Sequence, residues 1–154
     1  MKTLQAIMVV FAVTVTSAQA QTPDSSGRDA LIGAWHLVRI DVPGADGRTA
    51  ALAHPPKGML IYTRDGHMSV QLMYPRSANA PDNDYVLGGY EASFGSYEVD
   101  EARHILTHHV QGSVTRDLLV GKDLPRLYQL AADGHLIIRS ADPREHWSVT
   151  WEHY

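Results

Sequence analysis

The chain has 154 residues, with 13 Lys and Arg against 17 Asp and Glu and a formal net charge of −4. Because the basic residues are scattered and form no stripe interleaved with aromatic residues, we expect no nucleic-acid partner. The absence of cysteine excludes disulfide bonds, thiol catalysis and thiolate metal sites.

Residues 1–20 have the pattern of a secretory signal peptide. Lys2 supplies a positive charge, residues 7–15 form an apolar stretch, and residues 18–20 read Ala-Gln-Ala, a small-x-small cleavage site. The apolar stretch is short for a bilayer span, which favours a cleaved signal over an uncleaved N-terminal anchor. We therefore expect an exported protein, periplasmic or extracellular, that begins at Gln21 and has no membrane partner after cleavage.

The rest of the chain predicts a flexible leader at residues 21–29 and one all-β domain at residues 30–154. Strands are predicted where β-branched and aromatic residues lie between turn signals: residues 35–42, 58–73 as a hairpin, 94–99, 104–111, 124–131, 136–140 and 147–151. These segments predict an antiparallel up-and-down closed barrel of about eight strands. Residues 44–56 and 74–84 are predicted as loops, and residues 84–92 as a short lid helix or loop.

The first predicted hairpin turns at Asp65 and Gly66, a pair that favours a two-residue turn. That register places Tyr62 opposite Ser69, and side chains alternate between two faces along each strand. One face carries Met59, Ile61, Met68, Val70 and Leu72, and the other carries Leu60, Tyr62, Ser69, Gln71 and Met73. Either the purely apolar face lies in the core, or the mixed face lines a ligand cavity, since ligand pockets combine apolar walls with a few polar groups.

The second predicted hairpin contains an inward histidine. Its register places Gly95 opposite His108 and puts Tyr97 on the diagonal, within reach of the imidazole. Leu106 and Val110 share the face of His108, which indicates that this face is the inner one. An inward histidine is either a proton donor and acceptor near neutral pH or a core residue with a structural hydrogen-bond partner.

Several segments of the chain resemble a known family. Residues 33–35, Gly-Ala-Trp, resemble the glycine-x-tryptophan motif of lipocalins, and residues 58–71, 94–100 and 107–110 are similar to bacterial and fungal lipocalin-like domain proteins. The resemblance implies a calycin-type barrel with an internal cavity. Some relatives of this broad fold act as cyclases or isomerases, but the family pattern supplies no catalytic residues that could be carried over.

Other groupings of reactive side chains give little indication of a metal site or a catalytic triad. His108 and His109 point to opposite faces of one strand and cannot easily hold one ion together, and we expect neither a metal site nor a cofactor. Ser96 and Glu98 lie on the face opposite His108, which argues against a catalytic triad of these residues.

Arg126 has two interpretations. It either points inward and binds a carboxylate or enolate oxygen, or it stacks over Trp35 at the closed end of the barrel. The second interpretation needs no ligand and is the simpler of the two.

The leading functional hypothesis is an exported protein that binds a small apolar or amphipathic molecule. The predicted lining residues are Tyr62, Ser69, Gln71, Tyr97 and His108, with Tyr90 closing over them from the lid. One alternative is an isomerase, cyclase or lyase in which His108 is the acid–base group and Tyr97 or Arg126 stabilises charge on oxygen. A further alternative is a structural barrel that its own side chains fill.

Overall fold

A computed structural model describes residues 27–44, 46, 48–75 and 82–154. A short helix, α1 (Gly27–Leu31), precedes the strands, and a one-turn 3₁₀ helix covers Asp117–Leu119. In chain order the strands are β1 (Gly33–Pro43), β2 (Thr49–Ala51), β3 (Lys57–Tyr62), β4 (His67–Met73), β5 (Tyr90–Asp100), β6 (Ile105–Ser113), β7 (Asp123–Leu130), β8 (Leu136–Ser140) and β9 (Ser148–His153). Within the described ranges, no helix has the length and apolar character of a membrane span.

The strands close into a barrel. Each strand from β3 to β9 pairs antiparallel with its sequence neighbour, and both β3 and β9 pair with β1. The closing β1–β9 ladder runs from Trp35 opposite His153 to Asp41 opposite Ser148. Of the nine strands, β2 pairs only with β1, so the other eight form the barrel. The predicted all-β, antiparallel up-and-down barrel is thus confirmed, and its closure leaves no long edge open for aggregation.

The interior of the barrel follows the period-two alternation of its strands. Every second residue of most strands faces inward, although β1 breaks the alternation at the irregularity between Leu37 and Arg39. Together with Leu31 of α1 these side chains form one continuous core. Its most buried large members are Leu31, Trp35, Leu60, Tyr62, Leu106 and Leu136. Burial of such side chains contributes roughly 1.5–3 kcal/mol each and is the main force that stabilises the fold.

Helix α1 covers one end of the barrel. Leu31 is fully buried, and its carbonyl oxygen accepts a hydrogen bond from the indole Nε1 of Trp35 at 2.9 Å. The guanidinium of Arg28 donates to the carbonyl oxygen of Arg64 at 3.0 Å, and the backbone amide of Arg28 donates to Oε1 of Glu101 at 3.1 Å. The helix therefore connects the β3–β4 turn to the β5–β6 turn and closes that end.

The N-terminal predictions have a mixed outcome. Residues 27–29 were expected in the flexible leader, but they form the first turn of α1, because the burial of Leu31 holds the segment against the barrel. The rest of the leader and the signal peptide at 1–20 lie outside the described residues.

The predicted register of the first hairpin is wrong by one residue. The amide of Thr63 donates to the carbonyl oxygen of His67 at 2.9 Å, and Tyr62 pairs with Met68 rather than with Ser69. The loop has three residues, because Gly66 adopts a positive φ of 90° at its end, which is typical of a type I turn followed by a bulge. The shift mixes the two predicted faces: Leu60, Tyr62, Met68, Val70 and Leu72 are buried together.

The predicted register of the second hairpin is wrong by two residues, which leaves its faces unchanged. Tyr97 lies directly opposite His108, and Gly95 pairs with Val110 instead. The difference arises because the four-residue turn covers residues 101–104 rather than 100–103, and it ends at His104, which adopts a positive φ of 53°. The prediction that the side chain of His108 faces inward is confirmed, since only 8% of it is exposed.

Two connections agree only in part with their predictions. Of the two alternatives predicted for residues 84–92, a short helix or a loop, residues 84–89 form the loop, because Gly88 and Gly89 adopt positive φ angles of 60° and 82°, and Tyr90 already belongs to β5. The predicted loop at 44–56 contains the short edge strand β2, which pairs with the end of β1.

Candidate functional site

A cavity of about 180 Å³ lies inside the barrel at the end opposite α1. Its apolar walls come from Ile40, Val42, Leu60, Val70, Leu72, Val86, Leu119, Leu124, Ile138, Trp147 and Trp151. Its polar lining comes from Tyr74, Asn83, Tyr85, Glu91, Ser93, His108 and Arg126. The cavity is thus mainly apolar, with several titratable groups directed into one space.

The segment 82–89 contributes to the wall of the cavity at this end. Oδ1 of Asn83 accepts hydrogen bonds from the backbone amides of Tyr85 and Val86, each at 2.8 Å. This local turn is the kind that asparagine favours, and it holds the next two residues against the barrel. Val86 is 3% exposed, so the segment packs onto the core.

His108 forms the polar centre of the cavity wall. Its Nε2 lies 2.6 Å from the hydroxyl oxygen of Tyr62, and the two groups share a hydrogen bond in the core. A neutral imidazole has one donor and one acceptor nitrogen, so Nδ1 takes the opposite role to Nε2. Nδ1 has no hydrogen-bond partner in the described part of the chain, which leaves it available to a molecule in the cavity.

Burial keeps the His108–Tyr62 pair uncharged. It is the main cause that lowers the pKa of His108 to about 3, and the charges of Arg126 and His109 act in the same direction. Burial also raises the pKa of Tyr62 well above its ordinary value. Near neutral pH both side chains are therefore neutral hydrogen-bonding groups, and His108 is not an imidazolium acid.

Arg126 is the buried cation of the site. It is 7% exposed, and its guanidinium lies over the rings of Trp147 and Tyr85, with distances of 5.0 and 5.3 Å to their centroids. Nη1 donates to the carbonyl oxygen of Pro125 and Nη2 to the hydroxyl of Tyr85, both at 3.2 Å. Both oxygens are neutral, so neither hydrogen bond supplies a counter-charge.

Glu91 supplies a carboxyl group to the same cavity. It lies on the inward face of β5, two residues before the buried Ser93, and it lines both the cavity and a shallow groove outside the barrel. Burial raises the pKa of Glu91 to about 7, and the charge of Arg126 opposes that rise. The carboxyl group is therefore partly protonated near neutral pH.

Only some of the residues that were predicted to line a cavity lie in its wall. His108 lines it, and Tyr62 lies behind His108. The ring of Tyr97 packs 4.7 Å from that of Tyr62, and its hydroxyl donates to the carbonyl oxygen of Thr63 near α1, so it does not line the cavity. Arg126 lines it, but stacks on Tyr85 and Trp147 rather than on Trp35, whose ring packs 3.7 Å from that of His153.

Three predicted lining residues lie outside the barrel. The one-residue register shift places Ser69 and Gln71 on the outer face, where Nε2 of Gln71 donates to Oγ of Ser69 at 2.7 Å. Tyr90 is 47% exposed and lines the outer groove together with Met73, because it belongs to β5 and not to a lid.

The sequence analysis missed Glu91 and Tyr85 as lining residues. A signal for Glu91 was present, because counting back in twos from Tyr97 leads to Glu91 on the inward face of the strand. The alternation does not predict Glu91 as a lining residue when residues 84–92 are predicted to form a lid. Tyr85 carries no such signal, since its position depends on the path of an irregular segment.

Other groupings of reactive side chains do not form sites in the structure. The described residues contain no cluster of three or more histidine, aspartate or glutamate side chains that could hold a metal ion. His109 lies on the outer face, where its Nδ1 is 2.6 Å from Oδ1 of Asp123. This contact between two side chains lies at the surface, and such contacts have a small effect on stability.

Comparison with known proteins agrees with the architecture. A search of curated proteins found no match. A family model described as a lipocalin-like domain matches residues 32–152, which span all of the barrel except the last residue of β9. The chain therefore belongs to the lipocalin-like domain family.

Proposed function

We propose that the protein binds one small, mainly apolar molecule with a polar group inside the barrel. The observation that carries this proposal is the cavity of about 180 Å³, with apolar walls and with Glu91, His108 and Arg126 directed into it. Pockets for small molecules have this composition, because apolar walls supply affinity and a few polar groups fix orientation.

The volume of the cavity limits the ligand. A cavity of about 150 Å³ in another protein accommodates benzene, whereas pockets for drug-sized molecules measure roughly 300–1,000 Å³. A cavity of about 180 Å³ therefore suits a single substituted ring or a short branched chain. The same cavity favours a ligand-binding barrel over a structural barrel filled by its own side chains.

The alternative of an isomerase, cyclase or lyase that uses His108 as its acid–base group has less support. With a pKa lowered to about 3, His108 is a neutral imidazole near neutral pH and lacks the acidic proton of an imidazolium. Tyr97 lies outside the cavity lining, so it is not placed to stabilise charge on a bound molecule. Ligand binding needs neither an acid at His108 nor charge stabilisation by Tyr97, and we therefore prefer it to catalysis.

We also propose that the protein acts outside the cytoplasm. Lys2, the apolar residues 7–15 and the Ala-Gln-Ala site at residues 18–20 support export with cleavage before Gln21. The ligand would then be a molecule that the protein meets in the periplasm or outside the cell.

Native mass spectrometry of protein purified from its own host tests both proposals. We expect the intact mass to lack residues 1–20 and a fraction of the molecules to retain one small adduct. Val70→Phe adds volume to the cavity wall and should abolish the adduct, whereas Ser69→Phe, the neighbouring outward position, should retain it. The binding proposal fails if no preparation carries an adduct or if both variants carry it equally, and the export proposal fails if residues 1–20 are retained.

A further inference from the structure

We infer that the polar group of the ligand is a carboxylate and that the guanidinium of Arg126 binds it. This inference rests on the proposed binding function and names the chemical class of the ligand: a small monocarboxylic acid with one ring or a short apolar chain. It depends on three observations about Arg126.

The first observation is that Arg126 is a buried charge without an ionic partner. Among the ion pairs of the described residues, none joins Arg126 to an Asp or Glu within 4.0 Å. A buried charge is costly unless it is paired, and buried arginines are seldom left unpaired. An anion in the cavity would supply the missing counter-charge.

The second observation is that the guanidinium still has donors to offer. A guanidinium has five N–H donors in a planar fork, and within the described part of the chain two of them are used, toward Pro125 and Tyr85. The remaining donors suit the two oxygens of a carboxylate, which arginine binds in a bidentate manner. Amide and hydroxyl groups offer one acceptor oxygen without charge, so they match this arrangement less well.

The third observation is that Arg126 is held in place before any ligand binds. Tyr85 and Trp147 contact the guanidinium through their rings, and the hydroxyl of Tyr85 accepts a hydrogen bond from Nη2. A side chain that is already ordered loses little entropy on binding, so more of the interaction appears as affinity. The same rings provide an apolar surface beside the charge, as an aromatic acid would require.

Glu91 is the competing explanation, because it is the carboxyl group that lines the same cavity. It does not form an ion pair with Arg126 within 4.0 Å, and burial keeps its pKa near 7, so it is only partly ionised near neutral pH. A ligand with a cationic group would instead bind Glu91 and be repelled by Arg126. The charge of the ligand therefore separates the two possibilities.

Calorimetric titration with three probes of nearly equal size tests the inference. The probes are benzoate, benzamide and benzylamine, which are anionic, neutral and cationic at pH 7.5. We expect benzoate to bind at least about tenfold more tightly than benzamide, a difference of about 1.4 kcal/mol, because a hydrogen bond between charged groups is stronger than one to a neutral acceptor. Benzylamine should bind most weakly.

Variants assign the preference to one side chain. Arg126→Met should remove the preference for benzoate over benzamide, and Arg126→Lys, which keeps the charge but not the fork, should retain part of it. Arg139→Met, an exposed position on the neighbouring strand β8, should bind all three probes as the wild type does. The comparison of probes on the wild type needs no variant to fold.

The possible outcomes distinguish the two proposals. Equal binding of benzamide and benzoate overturns the carboxylate inference but agrees with a binding cavity. Tightest binding of benzylamine, or no binding of any probe, also overturns the inference. Absence of any retained molecule in the native mass spectra is the separate result that counts against the binding function itself.

Discussion

The stability of the wild type is expected to change little between pH 4.5 and 6.5, whereas single variants at His108 and Glu91 acquire opposite slopes. Both side chains lie in the cavity wall, and burial is the main cause of the shift of each pKa. The two side chains have opposite effects on how the free energy of unfolding changes with pH in this range. A variant that removes one of them should therefore show the pH dependence that the other causes.

The sign of each slope follows from whether the folded or the unfolded protein binds more protons. The pKa of His108 is about 3 in the folded protein, against an ordinary value of 6.5 in the unfolded chain, so the unfolded chain binds more protons between these values and stability rises with pH. The pKa of Glu91 is about 7 in the folded protein, against an ordinary value of 4.5 in the unfolded chain, so the folded protein binds more protons and stability falls with pH. Each slope approaches about 1.4 kcal/mol per pH unit.

Urea denaturation at pH 4.5, 5.5 and 6.5 measures these slopes. Glu91→Gln should become more stable as pH rises, by about 2–3 kcal/mol over the range, and His108→Gln should become less stable by a similar amount. Gln111→Asn changes an exposed side chain on the same strand that does not titrate, and it should follow the wild type. If Glu91→Gln and His108→Gln both keep the wild-type profile, the two side chains are not buried and titratable as described.

The substitution Gly95→Ala is expected to be among the most destabilising single changes in the barrel. An added Cβ would overlap the carbonyl oxygen of His109 and would lie 2.9 Å from the backbone nitrogen of Gln111. Both contacts are with backbone atoms, so no side chain can rotate away. Gly95 also lies at the irregularity in the β5–β6 ladder, where the two strands approach closely.

We expect Gly95→Ala to lower the free energy of unfolding by about 3 kcal/mol, because overpacking that moves backbone reaches the upper end of its usual cost. For a domain of this size the corresponding fall in Tm is on the order of 10 °C. Ser96→Ala, the next residue on the same strand, is the matched control and should change stability by less than about 0.5 kcal/mol. Equal melting temperatures for the two variants would contradict the close approach at Gly95.

Much of the fold was predictable because its signals are local. Turn residues between short β-branched runs predicted the hairpins, and closure followed from strands that pair with their sequence neighbours. The inward position of His108 survived a wrong register, because a shift of two residues preserves the face. A shift of one residue does not, and for that reason Ser69 and Gln71 were placed inside when the structure places them outside.

The loop geometry explains the first error. Asp65-Gly66 fits a two-residue turn and the end of a three-residue loop equally well, and the backbone of Gly66 decides between them only in the folded hairpin. The sequence also does not predict Tyr85 as a lining residue. Its contact with Arg126 joins β7 to an irregular segment more than 40 residues earlier in the chain. No period or motif encodes a contact of that kind.

The measurement that tests the binding account most directly locates benzoate on the protein by nuclear Overhauser effects to assigned methyl groups. We expect contacts from the ring protons to the methyl groups of Leu60 and Ile138, which line the cavity but not the outer groove, and loss of these contacts in Val70→Phe. Contacts instead to Met59, Met73 and Val114, which line the outer groove, would contradict a ligand site inside the barrel.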